Sequence, residues 1–447
     1  MKRSSYAAAI LFAIVWFATV LPVMAQPTGG GPLRMTIEGP GSQLSTIAVS
    51  GLKNLGGDDD HRTSSDFVTT LRRNLELSGY FRNIDPQAFI EDPQSSGFEL
   101  GQFNFADWRS INSDFVVKGS ITQAGTAIKL TAYLYDVAQQ RRMMGKNYNG
   151  APSDVRRMAR RFADAVLEAS TGQKGPFDSK LAFVSTRGGR FKEIYTQSID
   201  GLDLFKLTDN PTINLFPSFD RTTNYVLYLS YKSMEPSLYL ADLKAQREIK
   251  LGSPHGRVFG GTISDDGARI VASIERNGVT NLFLLAREGQ ELRQLTDSNG
   301  INVSPAISPD GSTLAFTSDR SGTPQIWVMP LGGAGAARRI TFKGDYNTTP
   351  SYSPKGDRLV YQSRANGRFD IWTIALAGGV PAQLTDGNGS NEYPSWSPDG
   401  RYIAFSSRRG GHTQIYIMMV SNRKIISTLT EGIGDDSCPA WSWWLGD

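Results

Sequence analysis

From about residue 180 to its C-terminus the chain is built of short apolar runs separated by turn residues, and the pattern recurs about every 44 residues. The unit beginning at Pro305 shows it clearly. Ala306-Ile307-Ser308 reads as a strand, Pro309-Asp310-Gly311 as a turn, Leu314 to Ser318 as a second strand and Asp319-Arg320-Ser321-Gly322 as another turn. Gln325 to Met329 reads as a third strand and Arg339-Ile340-Thr341 as a fourth. Proline presets φ and Asp-Gly tolerates positive φ, so these turns follow from backbone sterics. Nearly continuous apolar runs suit sheets covered on both faces.

The units start at Pro217, Gly261, Pro305, Pro350, Pro394 and Pro439. Ser353-Pro354-Lys355-Gly356 and Ser397-Pro398-Asp399-Gly400 repeat the first turn; Ser264-Asp265-Asp266-Gly267 lacks the proline, and Asp220-Arg221-Thr222 lacks both proline and glycine. A third-strand signature recurs at Glu193-Ile194-Tyr195, Ser237-Leu238-Tyr239, Asn281-Leu282-Phe283, Gln325-Ile326-Trp327, Asp370-Ile371-Trp372 and Gln414-Ile415-Tyr416. A strand-filled period of this length predicts a β-propeller with one four-stranded blade per repeat, here six blades. Leu181 to Val184 matches a second strand with no first strand ahead of it. Pro439 to Ser442 matches a first strand with nothing after it. The two fragments complete one blade, so residues near 440–444 are expected to pair with the strand near 181–185, removing the exposed sheet edges.

Upstream, the periods mix. Leu33 to Glu38 alternates as a strand does. Phe67, Leu71 and Leu75 follow Thr63-Ser64-Ser65-Asp66 at helical spacing, and the helix is expected to end at Gly79. Residues 115–121 and 128–134 read as two strands. Ser153 is placed to cap a second helix with Val155, Met158, Phe162 and Val166 on one face. The expected fold class is therefore an all-β six-bladed propeller preceded by a small α+β domain. Its parts are a signal peptide over 1–25, a flexible leader over 26–32, the α+β domain over 33–172, a linker over 173–178 and the propeller over 179–447.

Lys2 and Arg3, the apolar run Ala7 to Leu21 and the small-residue site Val23-Met24-Ala25 form the secretory signal. The run falls short of the ~20 residues that span a bilayer. Cys438 is the one cysteine, so no intrachain disulfide can form. Loss of Lys2 and Arg3 takes the net charge from +4 to +2, too near neutral to argue for nucleic acid.

Catalytic chemistry is hard to find. His61, His255 and His412 have no partners at metal-ligand spacing, so no metal is expected. There is no Gly-x-Ser-x-Gly elbow and no phosphate-binding glycine loop, and no cofactor is expected. Asp58-Asp59-Asp60 lacks calcium-loop spacing, and Asp310 and Asp399 beside glycines fit turns better than acid–base work. No reaction is assigned. The competing reading is a saccharide-binding or saccharide-cleaving propeller. It would draw on the innermost-strand serines Ser218, Ser264, Ser308, Ser353, Ser397 and Ser442.

A secretory leader, a small α+β domain and Ser-Pro-Asp-Gly repeats ending in Ala440-Trp441-Ser442 together resemble the TolB family of periplasmic Tol-Pal propellers. Asp107-Trp108 leading to Phe115-Val116-Val117-Lys118-Gly119, then Leu134-Tyr135-Asp136, and Leu167 through Gly175 resemble it too. The resemblance implies a periplasmic, monomeric, non-enzymatic binding protein that supports outer-membrane integrity and constriction at division. It implies that TolA binds a segment at 33–43, through Leu33, Arg34, Met35, Thr36, Ile37 and Glu38. It also implies that the lipoprotein Pal, and bacteriocins with it, dock over one propeller mouth. The loops there enter the innermost strands, and His255, Asn302, Thr349 and Glu392 are the candidates within them.

Overall fold

The computed structural model describes residues 44–57, 62–251, 255–332, 335–432 and 434–446. The α+β domain is a five-stranded sheet of β1 (Ser45–Gly57), β2 (Phe81–Asn83), β3 (Phe115–Ala124), β4 (Ala127–Asp136) and β5 (Arg141–Gly150), in the order β2-β1-β3-β4-β5. β1 runs parallel to β2 and β3, and β3, β4 and β5 are antiparallel. Helices α1 (Arg62–Leu77) and α3 (Val155–Thr171) cover one face, with the short α2 (Phe105–Ser110) on the other. Phe67, Leu71 and Leu75 of α1 and Val155, Met158, Phe162 and Val166 of α3 are all buried, as their spacing predicts. The α3 cap differs from expectation. Asp154 holds that position rather than Ser153, and its carboxylate accepts from the Ala151 N–H instead of capping the helix.

Six four-stranded sheets follow. Blades are numbered 1 to 6 along the chain. Their innermost strands are Asp436–Trp441 (blade 1), Asn214–Phe219 (2), Arg257–Ile263 (3), Asn302–Ile307 (4), Asn347–Tyr352 (5) and Asn391–Trp396 (6). Blade 1 is closed by the two chain fragments: Asp436–Trp441 pairs antiparallel with Lys180–Ser185, with Trp441 opposite Leu181. The closing strand lies a few residues earlier than 440–444. Ser442 still bonds Lys180, and beyond it Trp443 reaches Asp265 and Trp444 reaches Gly175.

One polar arrangement recurs where the outermost strand of a blade hands over to the innermost strand of the next. In blade 4 the Thr341 hydroxyl donates to Gln325 Oε1 at 2.7 Å, and the Asn347 amide of blade 5 donates to the same oxygen at 2.8 Å. The Thr341 oxygen accepts from the Ile326 N–H at 2.9 Å. The same three roles are filled by Glu193, Thr208 and Asn214, by Asn281, Thr296 and Asn302, and by Asp370, Thr385 and Asn391. At the closing seam Thr430 donates to Gln414 at 3.1 Å and Asp436 stands in the asparagine position. The seam between blades 2 and 3 differs. Ser237 and Val258 occupy the equivalent places, and Leu229, Leu238, Leu240, Leu251 and Val258 close it with an apolar cluster.

The α+β domain sits on blades 1 and 6, at the end of the disc that carries the Ser-Pro-Asp-Gly turns. A single core cluster runs from α1 and α3 into Leu181, Phe183, Tyr402, Ile417 and Trp441. Within it Arg160 bonds Asp200 at 2.7 and 3.1 Å with both side chains buried, and the Tyr402 hydroxyl donates to the Ser78 carbonyl at 2.7 Å. The segment 173–178 between the domains is tied down: Asp164 accepts from the Phe177 and Asp178 N–H groups, and Phe177 is buried.

Replacing Asn347 by alanine should leave Gln325 short of a donor in a buried seam. That should cost about 1–3 kcal/mol, read as a lower urea midpoint with an unchanged slope. A midpoint equal to that of the unaltered protein would show that the seam does not depend on this bond.

Candidate functional site

The innermost strands surround a central channel, and each is broken at one place. Register skips occur between Leu215 and Ser218, Val258 and Gly260, Val303 and Ala306, Thr348 and Ser351, Glu392 and Ser395, and Ser437 and Ala440. At each skip the residue before the proline, or before Gly261, takes positive φ: Phe216 (55°), Gly260 (139°), Ser304 (52°), Thr349 (51°), Tyr393 (53°) and Cys438 (52°). A non-glycine residue in this region costs roughly 1–2 kcal/mol, and bulges of this kind re-aim side chains.

This ring shapes the channel. The Phe216 and Tyr393 rings lie 6.3 Å apart, with Cys438 in the same apolar cluster. The φ of 139° at position 260 disfavours any L side chain, and a Cβ there would also press on the Phe216 ring at 3.3 Å. Ser304 and Thr349 give the other arc hydroxyls, and the Thr349 oxygen is buried with no hydrogen-bond partner. Around and beyond the ring the channel holds a cavity of about 560 Å³ walled by Ile263, Ile307, Tyr352, Trp396 and Trp441. The C-terminal tail roofs its far end. The Trp443 indole donates to Asp265 at 3.1 Å and lies under the Arg221 guanidinium at 4.2 Å. Burial raises the Asp265 carboxyl above its usual range against the opposing pull of that hydrogen bond, and burial pushes the Cys438 thiol up to about 12.

The four mouth candidates belong to blades 3 to 6, at the end of the channel opposite the α+β domain. His255 is exposed, and its carbonyl accepts from Arg276. Thr349 belongs to the strained ring. Glu392 is half-buried and accepts from the Ser390 hydroxyl at 2.7 Å. Asn302 is different. It is 0% exposed, its amide serves the seam between blades 3 and 4, and its oxygen accepts from Arg320 at 2.7 Å. Its side chain holds blades together and presents nothing to a partner. Leu33, Arg34, Met35, Thr36, Ile37 and Glu38 lie outside the described residues, as do Asp58, Asp59, Asp60 and His61.

The serines of the saccharide reading are otherwise engaged. Ser264, Ser308, Ser353 and Ser397 are buried and donate to Asp266, Asp310, Asp357 and Asp399 of their own turns. Ser442 donates to the Trp443 carbonyl, leaving Ser218 on the channel wall beside Thr262. Among the described residues no group of three or more His, Cys, Asp or Glu side chains is placed to hold a metal, and no helix is long and apolar enough to cross a membrane.

The sequence reading missed a set of cations. The aromatic of every third-strand signature carries one: Arg187 on Tyr195, Lys232 on Tyr239, Arg276 on Phe283, Arg320 on Trp327, Lys343 on Trp372 and Arg409 on Tyr416. Five of them stand at or just past the end of a second strand at the repeat spacing, a regularity visible in the sequence once the blades are aligned.

Cys438 should resist thiol reagents in the folded protein. With its pKa near 12, roughly one thiol in ten thousand is ionised at pH 8, and the thiolate is the reactive form. Ellman's reagent should therefore react only after denaturation; rapid reaction of the native protein would contradict this packing.

The chain matches the family model described as "TolB beta propeller domain" over residues 167–444, and the "TolB amino-terminal domain" over 33–143. A "Protein TolB homolog" of Chlorobium luteolum is 32% identical over 326 residues, covering 73% of this chain and 72% of that protein. A "Tol-Pal system protein TolB" of Desulfosudis oleivorans is 37% identical over 245 residues, 55% of this chain and 56% of that protein, so the matched stretch spans little more than half of that relative. The crystal structure of TolB from Acinetobacter baumannii shares the fold with a TM-score of 0.76 at 24% identity, over 90% of this chain and 97% of that one.

Proposed function

The chain belongs to the TolB family, and from that premise we propose that it is a non-enzymatic periplasmic docking protein of the Tol-Pal system. In this reading it binds Pal over the open propeller mouth and TolA through Leu33–Glu38, and it supports outer-membrane integrity and constriction at division. Residues 1–25 are the signal peptide, 26–32 a leader, 33–172 the first domain, 173–178 the link and 179–447 the propeller.

The observation that carries the reading is the asymmetry of the disc. One end is occupied: α1 and α3 cover blades 1 and 6, and Trp443 and Trp444 run across the channel from blade 3 to the link at Gly175. The other end presents the blade-to-blade loops, with His255 at the entry to blade 3 and Thr349 and Glu392 at the entries to blades 5 and 6. A rigid, closed ring with one free end fits a partner that arrives folded, since little order must be created on binding. The strained ring behind those loops is consistent with a recognition surface, where backbone strain tends to collect. The side chains around the channel are apolar or hydroxyl-bearing apart from Asp265 and the Cys438 thiol, a lining suited to contact more than to acid–base work.

Removal of residues 26–38 should abolish TolA binding, measured by calorimetry, and leave Pal binding within about twofold of the intact chain. Survival of the TolA affinity would place that contact elsewhere. Retained Pal affinity in a His255→Ala, Thr349→Ala double variant would remove the mouth assignment.

A further inference from the structure

The open end of the disc is not uniform. On blades 1 to 3 the hairpin cations are matched by carboxylates: Arg187 with Asp436 at 2.7 Å, Lys232 with Glu248 and Arg276 with Glu291. On blades 4, 5 and 6 they are not: Arg409 of blade 6 donates to the neutral oxygens of Ser407 and Asn391, and blades 4 and 5 differ from blade 6 in the apolar side chains beside their cations. Arg320 donates to the neutral oxygens of Ser318 and Asn302, Lys343 lies over the Trp372 ring at 4.9 Å and Arg364 over the Tyr346 ring at 4.4 Å. None of these three has a carboxylate at ion-pair distance among the described residues. Apolar side chains stand out between them. Phe342 is 74% exposed beneath the stacked Arg339 guanidinium at 5.0 Å, and Ile301 is 54% exposed.

These groups form one connected patch. The Ile301 N–H donates to Asp319 on the blade 4 hairpin at 2.6 Å, and Arg339 donates to Ser321 of that hairpin at 3.4 Å. Phe342 and Lys343 are consecutive in the loop that enters blade 5, where Tyr346 packs edge-on to Phe369 at 5.7 Å. The acidic groups of the sector's loops are Asp319, engaged with Ile301, and the exposed Asp297 and Asp345. Five cations, Arg320, Arg339, Lys343, Arg364 and Arg368, thus face three carboxylates.

We infer that this sector of blades 4 and 5 is the part of the mouth that selects the partner, and that it takes a folded protein surface with an apolar recess ringed by carboxylates. The inference rests on the reading of this end as the docking mouth and names the chemistry of what docks there. An exposed aromatic flanked by arginines is the composition that dominates binding energy at protein interfaces. Guanidinium and ammonium groups already stacked on rings lose less freedom on pairing than free ones. With few carboxylates of their own to satisfy them, they leave a positive field that steers an acidic partner. On blades 1 to 3 the same repeat position is neutralised from within.

The test measures binding of the full mature chain to the soluble domain of Pal, with rates followed across salt concentrations. Phe342→Ala should weaken binding by ~10-fold or more, chiefly through faster dissociation. Lys343→Glu with Arg364→Glu should slow association by ~10-fold or more and flatten its salt dependence. Met234→Ala, on the blade 2 hairpin at the same end and 96% exposed, should leave both rates unchanged. The altered side chains are exposed, so melting temperatures should hold, and a variant that melts early is replaced by Phe342→Ser or Lys343→Gln. Variants that bind as tightly and with the same salt dependence as the unaltered chain overturn the sector while leaving the mouth reading intact. No binding by the unaltered chain overturns both.

Discussion

Four of the six seams of the propeller each converge on a single side-chain oxygen. A threonine at the end of one blade and an asparagine at the start of the next both donate to the residue that opens the third strand, as Thr341 and Asn347 do to Gln325. This arrangement satisfies buried polar groups in pairs and sets the angle between neighbouring sheets, because both donors reach the oxygen only when the blades stand in one relation. Buried polar groups that are fully paired specify geometry as well as add stability. The seam between blades 2 and 3 replaces the bonds with leucines and Val258. Such a seam can be as stable but fixes orientation less sharply.

Closure of the ring turns these local relations into a rigid body. Once Asp436–Trp441 pairs with Lys180–Ser185, no blade can rotate without breaking a seam on both sides. The α+β domain is mounted on that closed blade and its neighbour through a shared core and the buried Arg160–Asp200 pair. The tail that made the closing strand continues across the disc, where Arg157 holds the Leu445 carbonyl at 3.1 Å and Trp444 donates to Gly175 at 2.7 Å. The chain's last residues thus fasten both domains and cover one end of the channel.

The cation–aromatic stacks have two consequences. In every blade a positive group lies over the third-strand aromatic, which steadies the hairpin or loop bearing it. Where a carboxylate is also present, as at Asp436 for Arg187, the charge is consumed within the fold. Where it is absent, the charge remains available to the outside. One repeated structural device therefore supplies a uniform scaffold and a non-uniform surface, the difference being set by the neighbouring residue in each blade.

Blade number, turn chemistry and the idea of a ring closed by the tail were legible in the chain because they are local and periodic: a proline before the end of five of the six innermost strands, a recurring Asp-Gly turn, an aromatic in the third strand. The buried faces of α1 and α3 were legible for the same reason. β5 was not, since Arg141–Gly150 carries no alternation and becomes a strand by pairing with β4. Nor could spacing reveal that Asn302 points into a seam while Thr349, at a neighbouring place in the next blade, lines the channel. The repeat determines which residues lie near the mouth. Which of them face it depends on bonds to side chains on the adjacent blade about twenty residues away, and these exist only when the sheets have packed.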